Sequence, residues 1–384
     1  MRVLVATVVH HPEDARILHR EITALLDHGH QVVYAAPFAA RGVRPRPRPG
    51  LEGVDLPRAV GRDRRTALRE ARRVLAERGA RADVVLLHDP ELLLALPGLR
   101  RGWRAGGGPG PAVVWDVHED TAAAIAMKRW VPRALRPPVR AVVRAAERIA
   151  ERRIHLLLAE DAYQRRFRRT HPVVLNLATV PLSPPKPPGA DRAVYLGQIS
   201  RGRGAEDLIA MARLLYPEVR VEAIGAADGD VRGLLEAADR DGVLRWHGFL
   251  PNDQALARLD GALAGLSLLR DEANYRHSRP TKVVEYMAYG IPVVTTPTPL
   301  AAALVRANDC GIVVDFRDPR AAADAVRRLR EDAGLRRAQG RRGRAAAAAG
   351  LNWPVHAEVF AGHLEGWASA RAPQGRSDGA VSSR

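Results

Sequence analysis

Short apolar runs rich in β-branched residues alternate along this chain with longer segments whose apolar positions recur at helical spacing. The first such run is VLVATVV at residues 3–9, and runs of similar character follow throughout the sequence. Apolar runs of four to eight residues are typical of parallel strands that are buried on both faces. Parallel strands need long crossover connections, usually helices, so the alternation predicts an α/β fold.

In the first half this pattern defines one domain. The predicted strands are 2–9, 30–35, 82–87, 112–116, 154–159 and 173–175, and the predicted helices are 14–27, 64–78 and 91–103. The Arg/Pro-rich stretch 41–49 is incompatible with regular structure and is predicted to be a loop.

The alternation stops at 181–191, where PLSPPKPPGAD has five prolines in eleven residues, and then begins again. The predicted strands of the second half are 193–196, 219–224, 244–247, 264–268, 292–295 and 312–315, and its main helices are 205–215, 231–240, 320–332 and 334–349. A repeated pattern joined by an extended linker predicts two Rossmann-like doubly wound domains that face a central cleft.

These patterns divide the chain into five segments. They are an N-terminal domain at 1–180, the linker at 181–191, a C-terminal domain at 192–352, a helix at 353–367 and a Ser/Gly/Arg-rich tail at 368–384 that is predicted to be disordered.

Composition restricts the class of protein. The 384 residues are 46% hydrophobic and carry a formal net charge of +17, which favours anionic partners. No zinc-finger or RNA-recognition signature accompanies the charge, so no specific nucleic acid is expected. The single cysteine, Cys310, excludes an intramolecular disulfide. The N-terminus has the pattern of a buried strand rather than of a signal peptide, so a cytoplasmic location is predicted, with peripheral contact at the inner face of an anionic membrane as an option.

The most informative motif lies at 278–296, SRPTKVVEYMAYGIPVVTT. Pro280 can begin a helix at no cost in hydrogen bonding, and the free N–H groups of a first turn favour anions such as a diphosphate. Lys282 and Glu285 are three residues apart and share one helix face. Only three of the 60 basic residues are lysines, so a lysine retained here suggests that a compact ammonium is required.

This motif resembles the donor-binding segment of retaining glycosyltransferases of family 4, which have the GT-B fold. The resemblance implies a nucleotide-sugar donor, linked to UDP or GDP, and no metal requirement. It implies that Glu285 holds the donor ribose. Many family members carry a further glutamate eight residues earlier, a position that is His277 here.

A second donor-side segment opens the C-terminal domain, as YLGQISRGRG at 195–204. Gly197 allows the backbone to approach a ligand closely, and Gln198 follows it. Arg203 matches the lysine that the family usually has before a glycine, and the resemblance makes it part of the phosphate clamp and of the catalytic machinery. Arg201 is a possible substitute for the arginine that the family commonly has at position 198.

The N-terminal domain lacks a GxGxxG fingerprint, and HHPEDAR follows its first strand instead. His10, Asp14 and Arg16 are therefore predicted at the carboxyl end of that strand, where ligands bind. In family 4 relatives a similar loop borders the acceptor. The alternative, equally supported, is that Asp14 caps a helix and that Arg16 is solvated.

Two further polar clusters follow strands of this domain. His88 and Asp89 follow one predicted strand, and His118 and Glu119 follow another, so all are predicted to face the acceptor side of the cleft. The resemblance gives His118 a catalytic role near the donor sugar, whereas His88 is as readily a packed polar residue. Neither cluster has the spacing of a metal site such as HExxH.

Arginines recur every four residues between Arg136 and Arg152. Such a stripe can bind a membrane surface, but the segment has few large apolar residues, and a solvated helix face is the preferred interpretation.

The sequence therefore predicts a glycosyltransferase that passes a sugar from a UDP- or GDP-sugar to a hydroxyl acceptor, a lipid-linked one included, with retention of configuration. Two alternatives remain open. One is a nucleotide-sugar 2-epimerase of the same fold, and the other is a non-enzymatic protein that binds anionic polymers through its net charge.

Overall fold

A computed structural model describes residues 1–105, 109–118, 132–277 and 279–370. These residues form two separate six-stranded sheets in which the paired strands are parallel. The strand order of the first sheet is 3-2-1-4-5-6, and the second sheet repeats that order with its own strands. Both sheets therefore have the doubly wound Rossmann topology, as the alternating pattern predicted.

The strands of the N-terminal sheet are β1 (Arg2–Ala6), β2 (Gln31–Ala36), β3 (Leu51–Asp55), β4 (Val84–Leu87), β5 (Ala112–Val117) and β6 (His155–Leu158). Those of the C-terminal sheet are β7 (Arg192–Leu196), β8 (Arg220–Ile224), β9 (Arg245–Trp246), β10 (Ala264–Ser267), β11 (Val293–Thr295) and β12 (Gly311–Val313). The central strands are buried on both faces, which explains their continuous apolar runs.

The α-helices are α1 (Thr23–Asp27), α2 (Arg64–Gly79), α3 (Leu99–Ala105), α4 (Arg136–Arg153), α5 (Ala205–Leu215), α6 (Gly229–Arg240), α7 (Asn252–Ala257), α8 (Thr281–Ala288), α9 (Pro299–Ala307), α10 (Pro319–Glu331), α11 (Ala333–Gly350) and α12 (Trp353–Ser369). A π-helical segment, Ile17–Ile22, leads into α1. Within the described ranges no helix is long and apolar enough to cross a bilayer.

Several boundaries differ from the prediction. The helix predicted over 91–103 is a 3-10 segment, Pro90–Ala95, followed by α3, because Pro97 and Gly98 interrupt it. Residues 173–175 form no strand, and Val173 makes only an isolated bridge to Leu158. Strand β3 and helices α7 and α9 were not predicted from the sequence.

The last helix, α12, packs against the N-terminal domain although it follows the C-terminal one. Its Phe360 and Leu364 are fully buried in the same apolar cluster as Ile17 and Ile22. The side chain of Glu365 also lies 2.8 Å from His30 Nε2. The chain therefore crosses between the domains twice, once through 181–191 and once at the start of α12.

Candidate functional site

The carboxyl ends of both sheets border one cavity of about 700 Å³. Its walls come from the loops that follow several strands of each domain, and from the first turn of α8. In doubly wound folds ligands bind at this edge of the sheet. The cavity between the domains is therefore the candidate site.

Lys282 is the buried cation on the C-terminal side of the cavity. It lies in the first turn of α8 and is 6% exposed. Its Nζ is 3.5 Å from the centroid of the Tyr195 ring and donates to no described acceptor. Burial, and then the charge of Arg203, hold the pKa of Lys282 well below its ordinary value. Burying a cation without an acceptor is costly, so this position favours an anionic ligand.

Two glycines let the backbone beside Lys282 form the cavity wall. Gly197 has φ +105°, and a Cβ there would lie 3.7 Å from Lys282 Cε. Gly225 has φ +146°, and its Cβ would lie 2.0 Å from the carbonyl oxygen of Gly197. Larger residues would be strained at either position. Pro280 lies at the N-cap of α8, one residue before the first-turn position that the sequence suggested.

Three of the polar residues that follow Gly197 have different surroundings. Arg203 lines the cavity and hydrogen-bonds the side chain of Tyr275. Gln198 also lines it, but its amide donates to Asp228 Oδ1 at 2.6 Å. Arg201 pairs with Glu206 and Asp230 on the surface. The suggestion that Arg201 replaces the arginine missing at position 198 is therefore wrong, because its guanidinium is engaged elsewhere.

Glu285 lies in the cavity wall in contact with the opposite domain. Its Oε1 accepts a hydrogen bond of 3.0 Å from Arg20 Nη2, and both side chains are buried. Arg20 also donates to Asn176 Oδ1 at 2.6 Å, and the Asn176 amide donates to Thr281 Oγ1 at 3.1 Å. Neither Arg20 nor Asn176 was identified from the sequence. The one sequence feature that could have identified Arg20 is its position four residues after Arg16.

The N-terminal wall contains a buried group of charges around Asp116. Arg16 donates to both of its carboxylate oxygens, at 2.7 and 2.6 Å, and also lies 2.9 Å from Glu21. His118 Nδ1 and His88 Nδ1 lie 3.1 and 3.3 Å from Asp116 Oδ2. Burial opposes ionisation, but Arg16 holds the pKa of Asp116 well below its ordinary value. Arg16 is thus a buried ion-pair partner, and the alternative of a solvated arginine is wrong.

His10 and His118 form the part of this group that faces the cavity. Their Nε2 atoms are 2.9 Å apart, so one nitrogen donates and the other accepts. His10 Nε2 is also 3.2 Å from Asp89 Oδ1. Asp89 is buried and accepts from Thr7 Oγ1 and the Val9 N–H, so it organises the loop after β1. His88 lies fully buried behind the pair, where burial lowers its pKa.

The remaining predicted residues do not join this pair. Asp14 accepts hydrogen bonds from the N–H groups of Arg16 and Ile17 at 2.8 and 3.1 Å. These are the contacts expected from the alternative in which Asp14 caps a helix. Burial acts to raise the pKa of Asp14, but His10 and these N–H groups outweigh it and lower that pKa. His277 is exposed. Glu119 lies outside the described residues.

His88, Asp116 and His118 place potential metal-ligand atoms within 4.8 Å of one another. Arg16 already binds both oxygens of Asp116. A divalent cation would have to displace that guanidinium from a fully buried carboxylate, so the group is poorly suited to hold a metal.

A further carboxylate connects the domains beside the cavity. Glu160 follows β6, is 7% exposed, and accepts a hydrogen bond of 2.7 Å from the Arg279 N–H. Burial raises the pKa of Glu160 to about 7. No sequence pattern identified this contact.

Part of the C-terminal half of the chain matches a protein-family model. Residues 182–346 match the family model described as Glycosyl transferases group 1, a segment that contains Gly197, Arg203, Lys282 and Glu285. No curated protein matches the chain significantly by sequence.

Solved structures match over nearly the whole chain. Sucrose-phosphate synthase from Thermosynechococcus elongatus aligns with TM-score 0.72 and 17% identity, over 96% of this chain and 99% of that one. HepE from Anabaena in complex with UDP and glucose gives 0.67 and 14%, over 95% and 100%. WaaG, a glycosyltransferase involved in lipopolysaccharide biosynthesis, gives 0.66 and 14%, over 94% and 98%. The predicted GT-B fold is confirmed.

Proposed function

We propose that this protein is a glycosyltransferase that moves a sugar from a nucleotide-sugar to a hydroxyl acceptor. One observation carries the proposal: the buried Lys282 and the carboxylate of Glu285 lie on one wall of a cavity whose opposite wall presents His10 and His118. An anion site that faces acid–base groups across an interdomain cavity suits transfer between a phosphorylated donor and a hydroxyl group.

The donor in this proposal is a UDP-sugar. HepE was solved with UDP, with UDP and glucose, and with UDP-glucose, and this similarity favours UDP over GDP. Glu285 would bind the ribose hydroxyls, with Arg20 fixing the orientation of its carboxylate. Lys282 and Arg203, with the N-terminus of α8, would bind the diphosphate.

In the transfer step the bond between the anomeric carbon and the β-phosphate oxygen breaks, and its electron pair stays on the phosphate. The acceptor oxygen bonds to the same carbon, and its proton passes to the phosphate or to His118. We propose family 4 chemistry with retention, in which Lys282 and Arg203 stabilise the growing phosphate charge and no metal is needed. Neither charge has to move during the reaction, which favours this preorganised arrangement.

A 2-epimerase of the same fold is the second candidate, and the His10–His118 contact is the observation that favours it. Two imidazoles with a carboxylate behind each could move protons on a bound sugar. An epimerase would convert the nucleotide-sugar without releasing the nucleotide, so product analysis separates the two activities.

We further propose a cytoplasmic protein that works at the inner face of a membrane on an acceptor that can be lipid-linked. The exposed face of α4 supports the proposed contact with a membrane. Val142 and Ile149 are 69% and 53% exposed and lie one heptad apart, with exposed Arg140, Arg148 and Arg152 on the same helix. Apolar side chains between arginines suit an anionic bilayer.

A screen of UDP- and GDP-sugars by thermal shift and by nucleotide release tests the proposal. A UDP-sugar should raise the Tm and be turned over by the wild type. Lys282→Gln should lose both responses. Lys186→Gln is the matched control, because Lys186 is 80% exposed in the linker. If no nucleotide-sugar stabilises the wild type, or if both variants behave alike, the proposed donor site is wrong.

A further inference from the structure

The N-terminal wall of the cavity holds a second cationic group, formed by Arg41, Arg58 and His11. Arg41 ends the 3-10 turn that follows β2, Arg58 follows β3, and His11 follows β1. All three line the cavity. They therefore lie at the carboxyl ends of three adjacent strands, the edge at which doubly wound sheets bind ligands.

Neither arginine has an anionic partner among the described residues. Arg41 Nε is buried and donates to no described acceptor, and Nη2 reaches only the Val9 carbonyl oxygen at 3.3 Å. By contrast, the buried Arg16 and Arg20 are paired with Asp116 and Glu285. A partly buried guanidinium without an anion is costly, and a bound anion would compensate for that cost.

His11 adds a neutral hydrogen-bond donor to the two guanidinium groups. Burial, followed by the charges of Arg41 and Arg58, lowers the pKa of His11 to about 4, so the ring is neutral near pH 7. Its Nδ1 accepts from the Glu13 N–H at 3.1 Å, which leaves the proton on Nε2. The ring is held against Phe249 of the other domain, with centroids 4.1 Å apart.

The two carboxylates that follow His11 in the cavity wall are already engaged. Asp14 caps its helix through the N–H groups of Arg16 and Ile17. Glu13 pairs with Arg46 at 2.9 Å. Within the described ranges, no carboxylate of the cavity wall forms an ion pair with Arg41 or Arg58.

We propose that Arg41, Arg58 and His11 bind an anionic group of the acceptor, with a phosphate ester as the favoured chemistry. Two guanidinium groups and an imidazole N–H match the several acceptor oxygens of a phosphate. The proposed donor phosphate ligands, Lys282 and Arg203, line the same cavity but belong to the other domain. This inference rests on the proposed function and narrows it to acceptors that carry a negative charge.

The test uses UDP to fill the donor site and inorganic phosphate as the probe. Phosphate is titrated into the UDP-saturated protein and followed by phosphorus NMR, which resolves the two ligands. The wild type should bind phosphate, and Arg41→Gln and Arg58→Ala should each weaken that binding by roughly tenfold while UDP still binds. Arg62→Ala, an exposed arginine outside the cavity, should change neither.

The outcomes of this titration distinguish failure of the second anion site from failure of the proposed function. If UDP binds but phosphate does not, or if Arg62→Ala weakens phosphate as much as the cavity variants do, the second anion site does not exist. If UDP itself does not bind to the wild type, the proposed function fails instead. Retained UDP binding also shows that a variant is folded.

A second arm identifies the source of the phosphate ester. Glycerol 3-phosphate competes with inorganic phosphate if the acceptor is water-soluble. If the ester is a lipid headgroup, vesicles of phosphatidylglycerol in phosphatidylcholine should bind the wild type more tightly than Arg41→Gln or Arg58→Ala. Failure of both arms contradicts the assignment of a phosphate ester.

Discussion

Lys282 illustrates how a single residue can favour ligand binding at the expense of stability. Its ammonium is buried over the Tyr195 ring, where no described residue offers it a hydrogen-bond acceptor. Such a group is retained where function requires it, and the proposed diphosphate supplies the missing partner.

We therefore expect Lys282→Met to stabilise the free protein and to weaken nucleotide binding. Removing the buried amine should raise the Tm by roughly 2–4 °C, the effect of about 1 kcal/mol in a domain of this size. The UDP dissociation constant should rise by about tenfold or more. Calorimetry on the variant and on Lys186→Met measures both quantities. A lower Tm with unchanged UDP affinity would make Lys282 a packing residue.

Arg20 and Glu285 are expected to behave as a coupled pair. Removing one partner of a buried ion pair leaves an unpaired charge and costs about 3–5 kcal/mol. Arg20→Met should thus be less stable than the double variant Arg20→Met/Glu285→Met. A double-mutant cycle in urea measures the coupling, and strictly additive effects would contradict it. Both variants that lack Glu285 should bind UDP weakly, whichever residue is at position 20.

Some features of these residues could be predicted from the sequence, and others could not. Lys282 and Glu285 were identifiable because their spacing on one helix face is local. The pair of Arg20 with Glu285 was not, since the two residues are 265 positions apart. Arg16 directly precedes the π-helical segment and lines the cavity, but nothing local indicated that Asp116, 100 residues away, would bury it.

At the scale of elements, the strand that was not predicted is one whose residues form no apolar run. The central strands are buried on both faces and are continuous apolar runs. Strand β3, LEGVD, is an edge strand with no fully buried residue, so it lacks the apolar signal. Helix α7 is six residues long, too short for a helical period to be recognised.

Helix α4 yields a prediction of its own. Val142→Glu combined with Ile149→Glu should reduce binding to phosphatidylglycerol vesicles, because charged side chains replace the exposed apolar ones. The Tm should not change, since both positions face solvent. Vesicle co-sedimentation tests this, with Val359→Glu on α12, at 47% exposed, as the control. Equal loss in the control would indicate a non-specific charge effect.

At the scale of the whole molecule, three hydrogen-bonded contacts among the described residues join the domains beside the cavity, in addition to the ring contact of His11 with Phe249. They are Arg20–Glu285, Asn176–Thr281 and Glu160 with the Arg279 N–H. All three involve α8 or its preceding loop, so donor binding and domain arrangement are physically linked.

Glu160 should make stability depend on pH. Its pKa is raised to about 7 from 4.5, so the folded state binds a proton that the unfolded state releases. Stability from this group is present at low pH and is lost as pH rises from about 4.5 to about 7. With about 1.4 kcal/mol per pKa unit and some solvent screening, the loss is of the order of 2 kcal/mol. Glu160→Gln keeps an acceptor for Arg279 and should flatten this part of the Tm profile. An identical profile in both proteins would contradict the assignment.

The central claim is that the C-terminal wall binds the nucleotide and the N-terminal wall serves transfer. Its most direct test measures UDP affinity and nucleotide-sugar turnover on the same preparations of the wild type, Glu285→Ala and His118→Ala. Glu285→Ala should weaken UDP binding by tens-fold, since a charge-assisted hydrogen bond contributes roughly 1.5–3 kcal/mol. His118→Ala should bind UDP normally and lose most turnover. If His118→Ala instead lost UDP binding while Glu285→Ala kept it, the two walls would have the opposite roles and the account would be wrong.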